Sequence, residues 1–135
     1  FEVAYDLFKE QVIVGSNAGA DLILIETMND SYETKAALLA VKENCNLPIF
    51  VTNAYGKDGK LMMGSSPRAM IATLEGLGVD AIGVNCSYGP KTLMPVIKEY
   101  LKYLNNSGYS KASTDRKISS IKTFHHYLYR YYSLP

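Results

Sequence analysis

The stretch that decides the fold is DLILIETMNDSYETKAALLAVKENCNLPIFVTN, residues 21–53. It opens with a short, nearly continuous apolar run, which is typical of a parallel β-strand buried on both faces. A helical pattern follows, with Asp30 or Ser31 as its N-cap, and the stretch closes on a second apolar strand, LPIFVTN. A strand, a helix and a strand joined by short turns predict a right-handed crossover between two parallel strands.

The sequence before this stretch predicts a helix over residues 2–18. Its apolar positions include Val3, Leu7 and Val14, and Gly19 is a suitable residue for its C-terminal end.

The sequence after it continues the alternation. Ser66 followed by Pro67 is typical of a helix start, residues 79–86 predict a third strand, and Pro90 or Pro95 begins a helix that reaches about residue 104. The fold class is therefore α/β with three parallel βα units. Three such units are too few to close an eight-stranded barrel, so the chain forms either part of one or a small open sheet.

All three predicted strands end in polar residues. These are Glu26-Thr27, Thr52-Asn53 and Asn85-Cys86. The carboxyl ends of parallel strands share one edge of the sheet, where α/β proteins bind ligands. A carboxylate there can hold an ammonium group, and a cysteine thiolate can bind zinc or attack an electrophile. The alternatives are that Cys86 is an ordinary small buried residue and that Glu26 caps a nearby helix.

A resemblance narrows these alternatives. DLILIET, the DGK…G loop and GVNCSYGP occur in the order and spacing of the homocysteine S-methyltransferase family, which includes the homocysteine-binding domain of cobalamin-dependent methionine synthase. The resemblance covers about residues 1–100. It implies a partial TIM barrel, with Cys86 as the first zinc ligand, Glu26 as the carboxylate that meets the amino group of homocysteine, and Asn85 as a neighbouring polar contact. The family's cofactors are zinc and, in the synthase, cobalamin as methyl donor.

The chain departs from that family pattern in its metal ligands. The family's other two zinc ligands are an adjacent cysteine pair, and the second cysteine of this chain is Cys45, predicted at the opposite edge of the sheet. One thiolate cannot supply the three or four ligands that zinc requires. We therefore expect a fragment of a methyltransferase that is incomplete and inactive alone.

Residues 98–135 differ in character from residues 1–97. Through residue 97 the chain carries 7 Lys and Arg against 11 Asp and Glu, and after it 7 against 2. The tail resembles the core-binding (SAM-like) domain of Xer-type tyrosine recombinases through its GYS, RKISS and YLYRYY elements. With residues 97–104, a helix from Lys111 to about Tyr132 predicts a C-terminal helical hairpin. The resemblance implies DNA binding, and the candidate phosphate contacts are Lys111, Arg116, Lys117 and Lys122.

Three interpretations stay open at this point. The chain is a homocysteine-binding half-barrel (domain 1–97), a DNA-binding module whose function lies in domain 98–135, or a chimeric fusion without activity. Its apolar runs are far shorter than the roughly 20 residues of a membrane span, so no membrane partner is expected. Two distant cysteines favour a reducing, cytoplasmic compartment. The edges of an open sheet predict self-association.

Overall fold

The computed structural model describes residues 1–108, 110 and 111, and within them it has an α/β fold. The order of elements is α1 (Glu2–Asn17), β1 (Ile23–Met28), α2 (Ser31–Asn44), β2 (Ile49–Asn53), α3 (Pro67–Gly76), β3 (Ala81–Val84) and α4 (Pro90–Asn106). The strands of the described region form a parallel sheet in the order β1-β2-β3. The predicted fold class, three parallel βα units of a partial barrel, is confirmed.

The register of the sheet aligns apolar side chains of the three strands on the same face. Ile25 pairs with Val51, and Val51 pairs with Ile82. Between Ile25 and Met28 the register of β1 shifts, which marks a bulge just before the strand ends. The bulge breaks the alternation of β1 at the edge where the polar strand ends gather.

The helices cover one face of this sheet and build the core there. The core consists of Val12, Ile25, Met28, Ala37, Leu38, Val41, Ile49, Val51, Tyr55, Leu61, Met70, Leu74 and Val96. It draws on all four helices and on the strands β1 and β2. On the other face Leu24 is 50% exposed and Phe50 is 37% exposed. The prediction that β1 is buried on both faces is therefore wrong for the described residues, because its apolar run supplies two apolar faces and the helices cover only one.

Helix α1 packs through residues other than the apolar ones whose spacing predicts it. Val3 is 75% exposed, and Leu7 and Val14 are exposed as well. The helix packs instead through Val12, which is buried, and Phe8, which lies against the core. Both sets have helical spacing, so periodicity alone could not decide between them.

Local signals explain where the helices begin. Asp30 caps α2 by accepting a hydrogen bond from the backbone N–H of Glu33 at 2.8 Å. Ser66 caps α3 in the same way, and Pro67 occupies the first turn. The fourth helix begins at Pro90, and Pro95 lies inside it. Because the strands that these helices connect are parallel, their carboxyl ends lie at one edge of the sheet.

The fold divides after Ile97. Residues Phe1–Ile97 form one compact unit, and Lys98 begins the second. Residues 97–104, expected as the first helix of the hairpin, belong to α4. Apart from Lys111, the second predicted helix lies outside the described residues. Among the residues that the structure describes, none of the helices is long and apolar enough to cross a membrane.

Candidate functional site

Three polar side chains meet at the carboxyl edge of the sheet. Asn85, which follows β3, donates from Nδ2 to Thr27 Oγ1 at 2.8 Å and to Cys86 Sγ at 3.3 Å. The Thr27 hydroxyl lies 3.7 Å from Cys86 Sγ, within reach of a hydrogen bond to sulfur. Because β1 and β3 are not neighbours in the sheet, these side chains meet across the end of β2. We call Thr27, Asn85 and Cys86 the strand-end cluster.

The backbone turns sharply at both ends of this cluster. Thr27 has φ of 62° and Cys86 has φ of 61°, and they are the non-glycine residues with positive φ in the described part of the chain. The left-handed region is uncommon for such residues and a genuine outlier for a β-branched one. Thr52 supports the first turn, since its Oγ1 accepts the Thr27 N–H at 3.0 Å. The turns direct the two side chains over the strand ends.

The Cys86 side chain is exposed and has polar neighbours. Ser87 N donates to Asn85 O at 2.8 Å and closes a tight turn directly after the strand, which leaves the cysteine at the surface of the edge. The alternative that Cys86 is a small residue buried in the core is therefore wrong. Its sulfur is open to a ligand.

The Glu26 side chain is exposed, and no hydrogen bond or ion pair ties it to another described residue. The interpretation of Glu26 as a helix cap is therefore not supported for the described helices, which begin at other caps. Glu26 lines a hollow of about 310 Å³ along the free edge of β1, together with Phe8, Gln11, Leu22 and Leu24. Its carboxylate has no partner among residues 1–108, 110 and 111, and Glu26 directly precedes Thr27 of the cluster.

Asn53 has a different role from the one that its strand-end position suggests. It is 1% exposed, and its Nδ2 donates to the Met28 carbonyl at 3.1 Å, which holds the end of β1 against β2. The Oδ1 atoms of Asn53 and Asn85 are both buried without a partner among the described residues. A buried acceptor without a donor is costly, so each oxygen has a free capacity that a bound molecule or water can fill.

The described residues do not build a metal site by themselves. Nowhere in residues 1–108, 110 and 111 do three or more His, Cys, Asp or Glu side chains gather as metal ligands. Cys45 follows the C-terminal end of α2, where it is half-buried and packs against the core. Cys86 thus offers one sulfur, which is fewer ligands than zinc requires.

The comparison with known proteins identifies the family. The chain matches the homocysteine S-methyltransferase family over residues 1–128. It belongs to that family. The chain is 33% identical over 110 residues to methionine synthase of Mycobacterium leprae (strain TN) and 32% identical over 110 residues to methionine synthase of Mycobacterium tuberculosis (strain ATCC 25618 / H37Rv). Each alignment covers 78% of this chain and 9% of the relative, so the chain spans about a tenth of the length of these methionine synthases.

Within this homocysteine S-methyltransferase family member, the site residues predicted from sequence fall into two groups. Asn85 and Cys86 contact each other and lie in the strand-end cluster. Glu26 lies beside the cluster without a bond to it. Of the four candidate DNA contacts, Lys111 is exposed. The others, Arg116, Lys117 and Lys122, lie outside the described residues.

Sequence reasoning missed the contribution of two threonines. Thr27 links Asn85 to Cys86, and Thr52 supports the backbone of Thr27. Their positions at strand ends were the available signal. The bulge and the left-handed turn that bring Thr27 into the cluster could not be predicted, because position 27 does not hold a glycine or asparagine, the residues that usually mark such a turn.

Proposed function

We propose that this chain carries the homocysteine-binding part of a methyltransferase site, at the carboxyl edge of its sheet. The observation that supports this most strongly is the strand-end cluster, in which the exposed Cys86 thiol and the Asn85 amide, both after β3, meet the Thr27 hydroxyl of β1. Membership of the homocysteine S-methyltransferase family supplies the substrate class. The uncommitted Glu26 carboxylate supplies the charge that an amino acid's ammonium group needs.

Each site residue then has a distinct part. Glu26 pairs with the ammonium group of homocysteine, because its carboxylate has no partner among the described residues. Asn85 presents its Oδ1, a buried acceptor without a described donor, to the substrate. Cys86 occupies the position of the first zinc ligand in the family resemblance. Zinc and cobalamin belong, in this proposal, to the whole enzyme.

Substrate binding can be tested by NMR titration of the chain with L-homocysteine. The expected result is a saturable shift of the Asn85 and Cys86 backbone amides. Glu26→Gln should weaken binding about tenfold or more, since a charged hydrogen bond is worth about 1.5–3 kcal/mol. The matched control is Glu10→Gln, which changes an exposed carboxylate on α1 and should bind like the parent. Equal affinity of Glu26→Gln and Glu10→Gln would contradict the assigned role of Glu26.

The contribution of the sulfur end can be tested separately. Titration with 2-aminobutyrate, which has the same amino-acid end but no thiol, should still shift the residues around Glu26. It should shift Cys86 less than homocysteine does. If neither compound binds at millimolar concentration, the proposed function fails.

We also propose that the chain alone does not transfer a methyl group, because its described residues offer one sulfur to a metal that needs more ligands. Purified protein should contain far less than one zinc ion per chain by atomic emission. It should also form no methionine from homocysteine and methylcobalamin. Stoichiometric, tightly held zinc would show that this expectation is wrong.

A further inference from the structure

We propose that Thr27 is a positioning residue that fixes the direction of the Cys86 sulfur. This inference rests on the proposed function, because it concerns the same strand-end cluster. Thr27 does not contact the substrate in this proposal. It acts through Asn85 and Cys86, which follow β3, the outer strand on the other side of β2.

The hydrogen-bond geometry carries the first step. A threonine hydroxyl has one proton to donate and lone pairs with which to accept. Asn85 Nδ2 donates to Thr27 Oγ1 at 2.8 Å, which uses a lone pair and leaves the hydroxyl proton to point at Cys86 Sγ at 3.7 Å. Asn85 also donates to the same sulfur at 3.3 Å. The sulfur thus accepts from two donors, Thr27 near the end of β1 and Asn85 directly after β3, and both define where it points.

The backbone of Thr27 carries the second step. A β-branched residue at φ of 62° is in a conformation that glycine or asparagine would adopt far more easily. Thr52 stabilises it by accepting the Thr27 N–H at 3.0 Å. Strained residues of this kind gather at functional sites, where the strain holds a group in place.

Packing does not account for the threonine. Thr27 is exposed and is not part of the core, so its side chain contributes little buried apolar area. A glycine would fit the turn, and a valine would retain the shape. What only threonine or serine supplies at this position is a hydroxyl between the amide and the thiol.

The test uses the full chain with Cys45→Ala, so that Cys86 is the single thiol. Thr27→Val removes the hydroxyl and keeps the shape, while Thr27→Ser keeps the hydroxyl. The Hα–Hβ couplings of Cys86, measured by NMR, report its side-chain rotamer. The parent and Thr27→Ser should show two unequal couplings, as expected for one dominant rotamer, and Thr27→Val should show two nearly equal, averaged values.

The backbone amide spectrum serves as the control for folding, and Thr27→Ala replaces Thr27→Val if the latter does not fold. Unequal couplings in the variant that lacks the hydroxyl would overturn the proposal. So would averaged couplings in Thr27→Ser, because the role would then belong to the β-branch. Homocysteine titration of the same proteins separates the two ideas. If Thr27→Val shows averaged Cys86 couplings but the parent does not bind homocysteine, the positioning role is supported and the proposed function is refuted. If the parent binds homocysteine but Thr27→Val keeps unequal couplings, the proposed function is supported and the positioning role is refuted.

Discussion

Replacing Thr27 with glycine should leave the protein as stable as the parent or more stable, although it removes two hydrogen bonds. The left-handed conformation of Thr27, with φ of 62°, costs about 1–3 kcal/mol, and glycine relieves that cost. Against this, the greater chain entropy of glycine costs about 0.5–1 kcal/mol. The lost bonds of an exposed hydroxyl cost about 0.5–1 kcal/mol more. At the midpoints of these ranges the net change is a gain of about 0.5 kcal/mol.

The matched control is Glu26→Gly, at the neighbouring position of the same strand, where φ is not positive. This change relieves no strain and should cost about 0.5–1 kcal/mol. The two glycine variants should therefore differ by about 1 kcal/mol, which corresponds to about 4–8 °C in Tm for a domain of this size. Urea unfolding and thermal melting followed by circular dichroism measure both quantities. If Thr27→Gly loses as much stability as Glu26→Gly, the strain argument is refuted.

Further predictions concern the scaffold. Leu74→Ala, in a fully buried core position, should lower the free energy of unfolding by about 2–5 kcal/mol in urea titrations. Asp30→Ala removes the cap on the Glu33 N–H and should cost about 1 kcal/mol in the same assay, while Asp30→Asn should cost less. The hydrogen bond that Tyr5 donates to Glu43 raises the pKa of the Tyr5 hydroxyl in the folded protein. The stability that this hydrogen bond contributes is therefore complete below about pH 10, the pKa of tyrosine in the unfolded chain, and is lost as the pH rises through the folded-state pKa. Tyr5→Phe should therefore lose less stability than the parent between pH 9 and 11. The free edge of β1 should make association concentration-dependent in sedimentation, and a strictly monomeric protein at all concentrations would contradict this.

The order of strands and helices could be predicted from sequence because each boundary has a local cause. Asp30 and Ser66 cap helices that begin directly after them, and Pro90 begins α4. These signals involve residues close in sequence, so they act in the same way whatever the rest of the chain does. The shared edge could also be predicted, since alternating strands and helices predict parallel strands, whose carboxyl ends lie on the same side of the sheet.

The faces could not be predicted, because both sides of β1 and of α1 carry apolar residues. Leu24 and Ile25 are equally apolar, and only the placement of the helices buries Ile25 and exposes Leu24. The role of Thr27 was hidden for a related reason. It depends on a register shift between β1 and β2 and on a contact with Asn85, 58 residues away. Such contacts depend on tertiary structure and produce no periodic pattern in the sequence.

The two halves of the proposed site lie on different parts of the sheet, and this sets the direction of the substrate. Glu26 lies on the outer strand β1, where it lines the hollow beside Phe8 and Gln11 of α1. Asn85 and Cys86 instead lie over the strand ends, beside Thr27. In the proposed binding mode, an amino acid that meets both extends from the outer strand β1, where its ammonium group pairs with Glu26, toward β3, where its sulfur approaches Cys86. A fixed Cys86 rotamer matters for this arrangement, because the contact between the substrate's ammonium group and Glu26 does not by itself fix the direction of the substrate's sulfur.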